Sequence, residues 1–362
     1  MAVRCYGHAV DAEGTPGARV LEFGTTGFYP PFEGAAIARA SEAMGFDVQM
    51  FSENHTRVPD AFGEMRDAAR ATERIRLLCG PVNFITRNPG VIASAIVPLQ
   101  VLSGGRAVCG VASGDSAVAA VGRRPQPVAA FERDITALRS YLHGSDVAYG
   151  DRSSRLEWTA GLKYVPVPIE MVCSGPRAIA VAARHADRIG LSVGANPERI
   201  AWALQIIGTS LFEAGRDRDH VRVGAFVPIA VTDDRATGRS AIRTRVAGWA
   251  HMSSFRGNDL SQQPEVMRRV TAVLRDTYDY RYHHPGAPAD NPNTAVCDEE
   301  FGDWFGVGGP PAYIVDRLGE LVDMGIDYFT TALPMPERER FAADVMPALR
   351  SLRVPPTRPG GR

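Results

Sequence analysis

RIRLLCGPVNFITRNPGVIASAIVPLQVLSGGRAVCGVASGD, residues 74–115, decides how the whole chain is to be read. In order it gives a strand, an irregular Gly-Pro turn, a helix, a Gly-Gly corner, a second strand and a glycine-rich turn ending in a carboxylate. Two apolar strands, Ile75 to Cys79 and Ala107 to Val111, separated by one helical pattern are the signature of a right-handed βαβ crossover in a parallel sheet. Both strands then point their carboxyl ends the same way. That edge is where parallel sheets and barrels place ligands and catalytic groups. The turns Gly80-Pro81-Val82-Asn83 and Ala112-Ser113-Gly114-Asp115 both fall on it.

Working outward, the same alternation recurs. Val20–Gly24 and Asp47–Ser52 read as strands before this stretch, with a helix over 33–44 and another over 62–72. After it come a helix over 129–142, a small hairpin within 145–165, and strands at Ile169–Cys173, Asp187–Val193 and Val221–Val231. A helix is expected from Asp233 to about Ala250. From Ser253 to Gly309 the pattern breaks into a long, polar, aromatic stretch. A segment of that length inside a compact domain reads as a lid or binding insertion. Regularity returns with a helix over 310–324, a strand at Asp327–Thr331 and a closing helix over 336–351. Ala43-Met-Gly-Phe-Asp47 and Asp323-Met-Gly-Ile-Asp327 repeat one junction, a glycine cap followed by an aspartate that opens a strand. Eight such units predict an α/β fold, a (β/α)8 TIM barrel with a long insertion after strand 7. The competing architecture is a doubly wound open sheet, weakened by the lack of GxGxxG in the first βα unit. The expected organisation is a lead-in over 1–18, then a single barrel domain over 19–362 with 253–309 as its lid.

Composition bounds the function. Net charge is −1 with no polybasic run, which excludes nucleic acid and membrane surfaces as partners and leaves a small-molecule substrate. No run approaches the roughly 18 apolar residues of a membrane helix, and the N-terminus lacks a signal-peptide core. The five cysteines are widely spaced and three sit in strand runs, so buried thiols in a reduced, cytoplasmic setting are expected. No His/Cys spacing suits a metal, and the expectation is none; His283 and His284 lack a third ligand and read as solvent-facing.

Several residues could carry chemistry. Gly80-Pro81 is either a trans strand terminator or a cis bond that makes a backbone ledge for a flat ring. Asp115 is either a helix cap or a proton donor at the active edge. Glu53-Asn54-His55 leave the second strand as acid, amide and imidazole, of which His55 alone titrates near neutrality unaided. Ser174-Gly175-Pro176-Arg177 sets backbone N–H groups, a hydroxyl and a guanidinium at a helix start, which suits a phosphate.

These pieces together resemble the bacterial luciferase-like superfamily of flavin and deazaflavin oxidoreductases, and within it the deazaflavin branch that includes methylenetetrahydromethanopterin reductases. The resemblance is carried by Ala40–Asp47 with Ser52-Glu53, Thr72–Arg76, Thr86–Pro89, Leu102–Arg106, Gly110–Gly114, Ser174–Pro176 with Ala186-Asp187, and Gly309–Asp327, across roughly residues 20–350. It implies coenzyme F420 as cofactor, with FMN the alternative. It puts the family's cis peptide on Gly80-Pro81, beside Val82 and Asn83, as the ledge behind the ring. It puts the acidic proton donor on Asp115 after Ala112, Ser113 and Gly114, and the phosphate turn on Ser174, Gly175, Pro176 and Arg177. It also implies a homodimer. One departure stands out: where deazaflavin enzymes show Asp-His, this chain has Glu53-Asn54 with histidine one place later. The tryptophan of the sugar-phosphate dehydrogenases is missing too, which argues against that substrate. The resulting expectation is hydride transfer between the deazaflavin C5 and a small organic substrate, under a lid carrying Tyr278, Tyr280, Tyr282 and Trp304. An FMN-dependent monooxygenase and a cofactor-free binding protein on the same barrel are the alternatives.

Overall fold

The computed structural model describes residues 19–255, 258–284 and 286–352. The expected lead-in over 1–18, with Cys5, lies outside them, as do Arg256, Gly257 and Pro285 of the lid segment and the tail 353–362. Eight strands close into a barrel: β1 (Glu22–Thr25), β2 (Val48–Phe51), β3 (Arg76–Val82), β4 (Ala107–Val111), β5 (Ile169–Cys173), β6 (Arg188–Leu191), β7 (Arg222–Phe226) and β8 (Tyr328–Thr331). Every neighbouring pair is parallel, and β1 pairs with both β2 and β8, so no edge is left open. The expected (β/α)8 barrel is therefore the fold. The hairpin within 145–165 is also present, as Val147–Tyr149 antiparallel to Arg152–Ser154.

The two ends of the barrel interior differ in chemistry. At the N-terminal end, Arg188 donates to Glu22 at 2.9 Å and to Glu170 at 2.8 Å, and its guanidinium lies 4.2 Å from the Tyr328 ring centroid. All four side chains are buried. Burial pushes the Glu22 carboxyl up, but Arg188, Arg222 and Arg76 outweigh it and hold the group well below the ordinary carboxylate range. Gly224 makes room for this layer, because a side-chain carbon there would meet the Tyr328 ring at 2.3 Å. Elsewhere in the interior the filling is apolar: Val48, Met50, Leu78, Val108 and Phe226 form one cluster, joined by Trp249. With charge at the floor and apolar packing above it, the polar groups of the loops at the strand C-termini are left to define the site.

The insertion differs from its expected form. The run read as one strand, Val221–Val231, ends as barrel strand at Phe226, and Ile229–Val231 pairs instead with Val307–Gly309 in a separate two-stranded parallel sheet. Pro228, which lacks an N–H, sits at the break. The helix expected over 233–250 is two helices, Arg235–Arg243 and Ala247–Ser253. The stretch read as irregular contains further helices at Glu265–Thr277, Pro292–Ala295 and Glu299–Phe305. They bury a core of their own around Ile242, Val246, Met267, Leu274, Phe301 and Phe305. Through Trp249, 5.8 Å from Phe226 between ring centroids, this subdomain is seated on the barrel mouth.

Candidate active site

The mouth is built from the turns after β2, β3, β4 and β5 and from the insertion. In β3 the register against β4 shifts between Cys79 and Val82, and the Gly80-Pro81 bond inside the shift is cis. Gly80 has φ +109°, and a side-chain carbon on it would lie 2.4 Å from the Val82 nitrogen. On Gly110 opposite, such a carbon would meet the Cys79 carbonyl oxygen at 2.3 Å. The two strands thus approach backbone to backbone and present no side chain from these positions.

The carbonyl of the buried Val82 accepts from the Ala112 N–H at 3.0 Å, which ties the two turns together. Asn83 is buried, and its Oδ1 accepts from the N–H groups of Ile85 and Thr86 and from the Thr86 hydroxyl at 2.9–3.1 Å. Its amide therefore shapes the turn from within. The Ser113 carbonyl accepts from the Gln126 N–H at 2.8 Å. Gly114 has φ +102° and would place a side-chain carbon 2.4 Å from Val118.

Asp115 follows, just before the short helix Ser116–Ala119, and makes no side-chain capping bond. Its Oδ1 accepts from the Tyr280 hydroxyl at 2.6 Å and lies 3.5 Å from His251 Nε2. His251 Nε2 in turn is 3.0 Å from the Tyr280 oxygen. The His251 ring lies flat on Tyr278, centroids 3.6 Å apart and planes 7° from parallel. The Tyr278 hydroxyl hydrogen-bonds His283 Nδ1. Burial would raise the Asp115 carboxyl, but the neighbouring His251 and the Tyr280 hydroxyl hold it below its usual range. Burial and the Asp115 carboxylate push both phenols far above their ordinary value. Burial also lowers His283, which favours its neutral form.

The strand-two motif divides among different tasks. Glu53 is paired with Arg87 at 3.1 Å; its Oε2 is buried with no hydrogen-bond partner among the described residues. Asn54 is buried and donates to the Ser116 hydroxyl at 2.9 Å, joining the β2 and β4 turns. His55 is exposed on the turn. Arg57 donates to the backbone carbonyls of His283 and Tyr280 at 2.6 and 2.5 Å, anchoring the insertion to the barrel.

At the fifth turn, the helix Pro176–His185 opens at Gly175 with a proline in its first turn and no side-chain cap. Uncapped backbone donors at a helix start fit an anionic group. Ser174 donates to the Met252 carbonyl at 3.0 Å, and Asn258 lies where a side chain on Gly175 would have to go, 2.2 Å from that position. Arg177 is exposed.

The structure thus gathers Gly80, Pro81, Asn83, Gly114, Asp115 and Asn54 around one mouth. His251 and Arg57 went unnoticed in the sequence, and His283, expected to face solvent, is hydrogen-bonded inside the cluster while His284 is exposed. The density of Tyr and His over 278–284 was a sequence signal for His283; His251 and Arg57 carried none.

A closed parallel barrel with a carboxylate, an imidazole and phenols gathered at its C-terminal mouth is the architecture of a barrel enzyme. The sequence model of the luciferase-like monooxygenase family matches residues 17–328, and the chain belongs to that family. It is similar to a 5,10-methylenetetrahydromethanopterin reductase of Methanolobus tindarius, 27% identical over 331 residues, covering 86% of this chain and 93% of the relative. Among solved structures it resembles the coenzyme F420 dependent tetrahydromethanopterin reductase of Methanopyrus kandleri, with TM-score 0.67, 21% identity and coverage of 91% and 99% of the two chains. A riboflavin lyase solved with modified FMN superposes with TM-score 0.66 at 16% identity, covering 92% of each chain.

Proposed function

We propose that this protein is an F420-dependent oxidoreductase that moves a hydride between the deazaflavin C5 and a small organic substrate. The observation that carries the reading is Asp115, at the end of β4, held by Tyr280 and His251 beside the β3 bulge: a proton-handling group where hydride chemistry needs its companion proton. The F420-dependent reductase of similar fold and the methylenetetrahydromethanopterin reductase of similar sequence support the cofactor. When bound, the deazaflavin supplies hydride at C5.

The residues of the chain have separate tasks. Gly80 and Pro81 give the ring a surface of backbone and apolar atoms, backed by the buried Val82. Ser174, Gly175, Pro176 and Arg177 take the phosphate side, which requires Asn258 to move off Gly175. Asp115 manages the proton. Asn54, through Ser116, and Glu53, through Arg87, hold the loops in place. The insertion, anchored by Arg57, excludes water from the mouth. His55, exposed, would act only on a substrate that reaches over the β2 turn.

The reading extends to assembly and location. The helix Pro89–Leu102 carries no charged residue and exposes Val91, Val101 and Leu102, which supports a homodimer through that face. Cys79, Cys109, Cys173 and Cys297 are buried free thiols, which supports a reducing, cytoplasmic setting. An FMN-dependent oxygenase is the second reading, favoured by the neighbour solved with modified FMN. Side-by-side titration of the protein with F420 and with FMN, followed by fluorescence quenching, separates them. Saturation by F420 alone supports the proposal; saturation by FMN alone sinks it.

A further inference from the structure

We infer that the proton used at this mouth is stored on His251 and reaches Asp115 through the Tyr280 hydroxyl, a relay assembled by the insertion. The chemical meaning of the relay rests on the hydride-transfer reading above; its existence does not.

Counting donors places the hydrogens. A phenol has one hydrogen, and the 2.6 Å contact commits that of Tyr280 to Asp115 Oδ1. The 3.0 Å contact between His251 Nε2 and the Tyr280 oxygen therefore needs a hydrogen on Nε2. On the other side of the ring, the Ser254 hydroxyl lies 2.6 Å from the His251 carbonyl oxygen and 3.2 Å from Nδ1. Its single hydrogen goes to the shorter, better acceptor, so Nδ1 supplies its own. Every contact is satisfied when both nitrogens carry hydrogen, and the cation so formed sits 3.5 Å from a carboxylate. The stacked Tyr278 ring covers the face of the cation. His283 meets Tyr278 at its hydroxyl, and the Arg57 guanidinium is turned to backbone carbonyls, so Asp115 is the anion that balances the charge.

The step balances. The Nε2–H bond of His251 breaks and its proton joins the Tyr280 oxygen as the Tyr280 O–H proton joins Asp115 Oδ1. The cation and the anion both become neutral, a change favoured once a ligand dries the mouth. In the reducing direction a bound deazaflavin would supply hydride to an electrophilic carbon of the substrate, and the carboxyl proton of Asp115 would neutralise the negative charge left there. In the oxidising direction each transfer reverses. His251 and Tyr280 are positioning and relay groups; Asp115 is the group that meets the substrate.

The test is long-range proton–nitrogen NMR of the full-length, cofactor-free protein at pH 7, with imidazole nitrogens labelled and His251 assigned by loss of its signals in H251Q. Both His251 nitrogens are expected to carry hydrogen, with the Nε2 proton visible downfield as a hydrogen-bonded resonance. D115N is expected to lose one of the two hydrogens. Y280F, which keeps both charges and removes only the bridge, is expected to keep both hydrogens and lose the downfield resonance. A single hydrogen on His251 in the unmodified protein overturns the inference. So does retention of both hydrogens in D115N, or a downfield resonance unchanged in Y280F. None of these readouts involves F420, so failure of the cofactor titration and failure of the relay are separate results.

Discussion

Tyr280 donates its hydroxyl hydrogen to Asp115 across 165 positions of sequence, so the insertion and the β4 turn meet in one 2.6 Å hydrogen bond. The consequence is that the barrel does not hold a finished site. Its strands place the carboxylate and the backbone bulge, and the insertion brings the phenols and the imidazole. Anything that loosens the insertion is therefore expected to act on the proposed proton chemistry as well as on access.

Arg57 is where that loosening is most easily made. Its guanidinium holds two carbonyls of the 280–283 segment, and hydrogen bonds to a charged group contribute roughly 1.5–3 kcal/mol each. Arg57→Ala is expected to raise amide hydrogen exchange across 278–284 by about ten-fold or more while the barrel strands keep their protection. Exchange measured by mass spectrometry checks this; unchanged rates in that segment would remove Arg57 as the anchor.

The charged floor of the barrel gives a pH dependence of definite sign. The folded carboxyl of Glu22 lies below its reference value of 4.5. Its contribution to stability is therefore complete above about pH 4.5 and is lost as pH falls below that value toward the folded-state value. Glu22→Gln is expected to lose on the order of 3–5 kcal/mol at pH 7, since Arg188 would lose one of its two buried partners. Below pH 4.5 the gap between variant and parent should shrink. Urea denaturation at a series of pH values reads both effects, and a constant gap would assign the Glu22 contribution to packing alone.

Two glycines should respond in opposite ways to the same added methyl. Gly224→Ala puts a carbon 2.3 Å from the Tyr328 ring and is expected to destabilise by about 1–3 kcal/mol. Gly208, inside the helix Pro197–Glu213, has nothing within 4 Å of that position. Gly208→Ala is expected to stabilise by about 0.5–1 kcal/mol through helix propensity. Melting temperatures that move in the same direction for both would contradict the packing described for the barrel floor.

The barrel was legible because its signals are local. Apolar runs ended by turn residues marked each strand, and Gly45 and Gly325 adopt the left-handed φ, +88° and +101°, that their repeated junction implied. The turns around Gly80 and Gly114 were legible for the same reason. The insertion was not, because its helices are short, interrupted and packed on one another. His251 and Arg57 were missed because their roles come from contacts with residues distant in sequence, and no spacing encodes those. Asp115 as a plain donor is also too simple an expectation: the groups around it hold the carboxyl in its ionised form.

The most direct measurement is a crystal structure of the protein with F420 bound. The account predicts the deazaflavin ring in van der Waals contact with the Gly80-Pro81 segment, a phosphate oxygen at the Gly175 helix start with Asn258 displaced, and Asp115 facing the open side of the ring near C5. A ring bound elsewhere, or one whose C5 is turned away from Asp115, would contradict it.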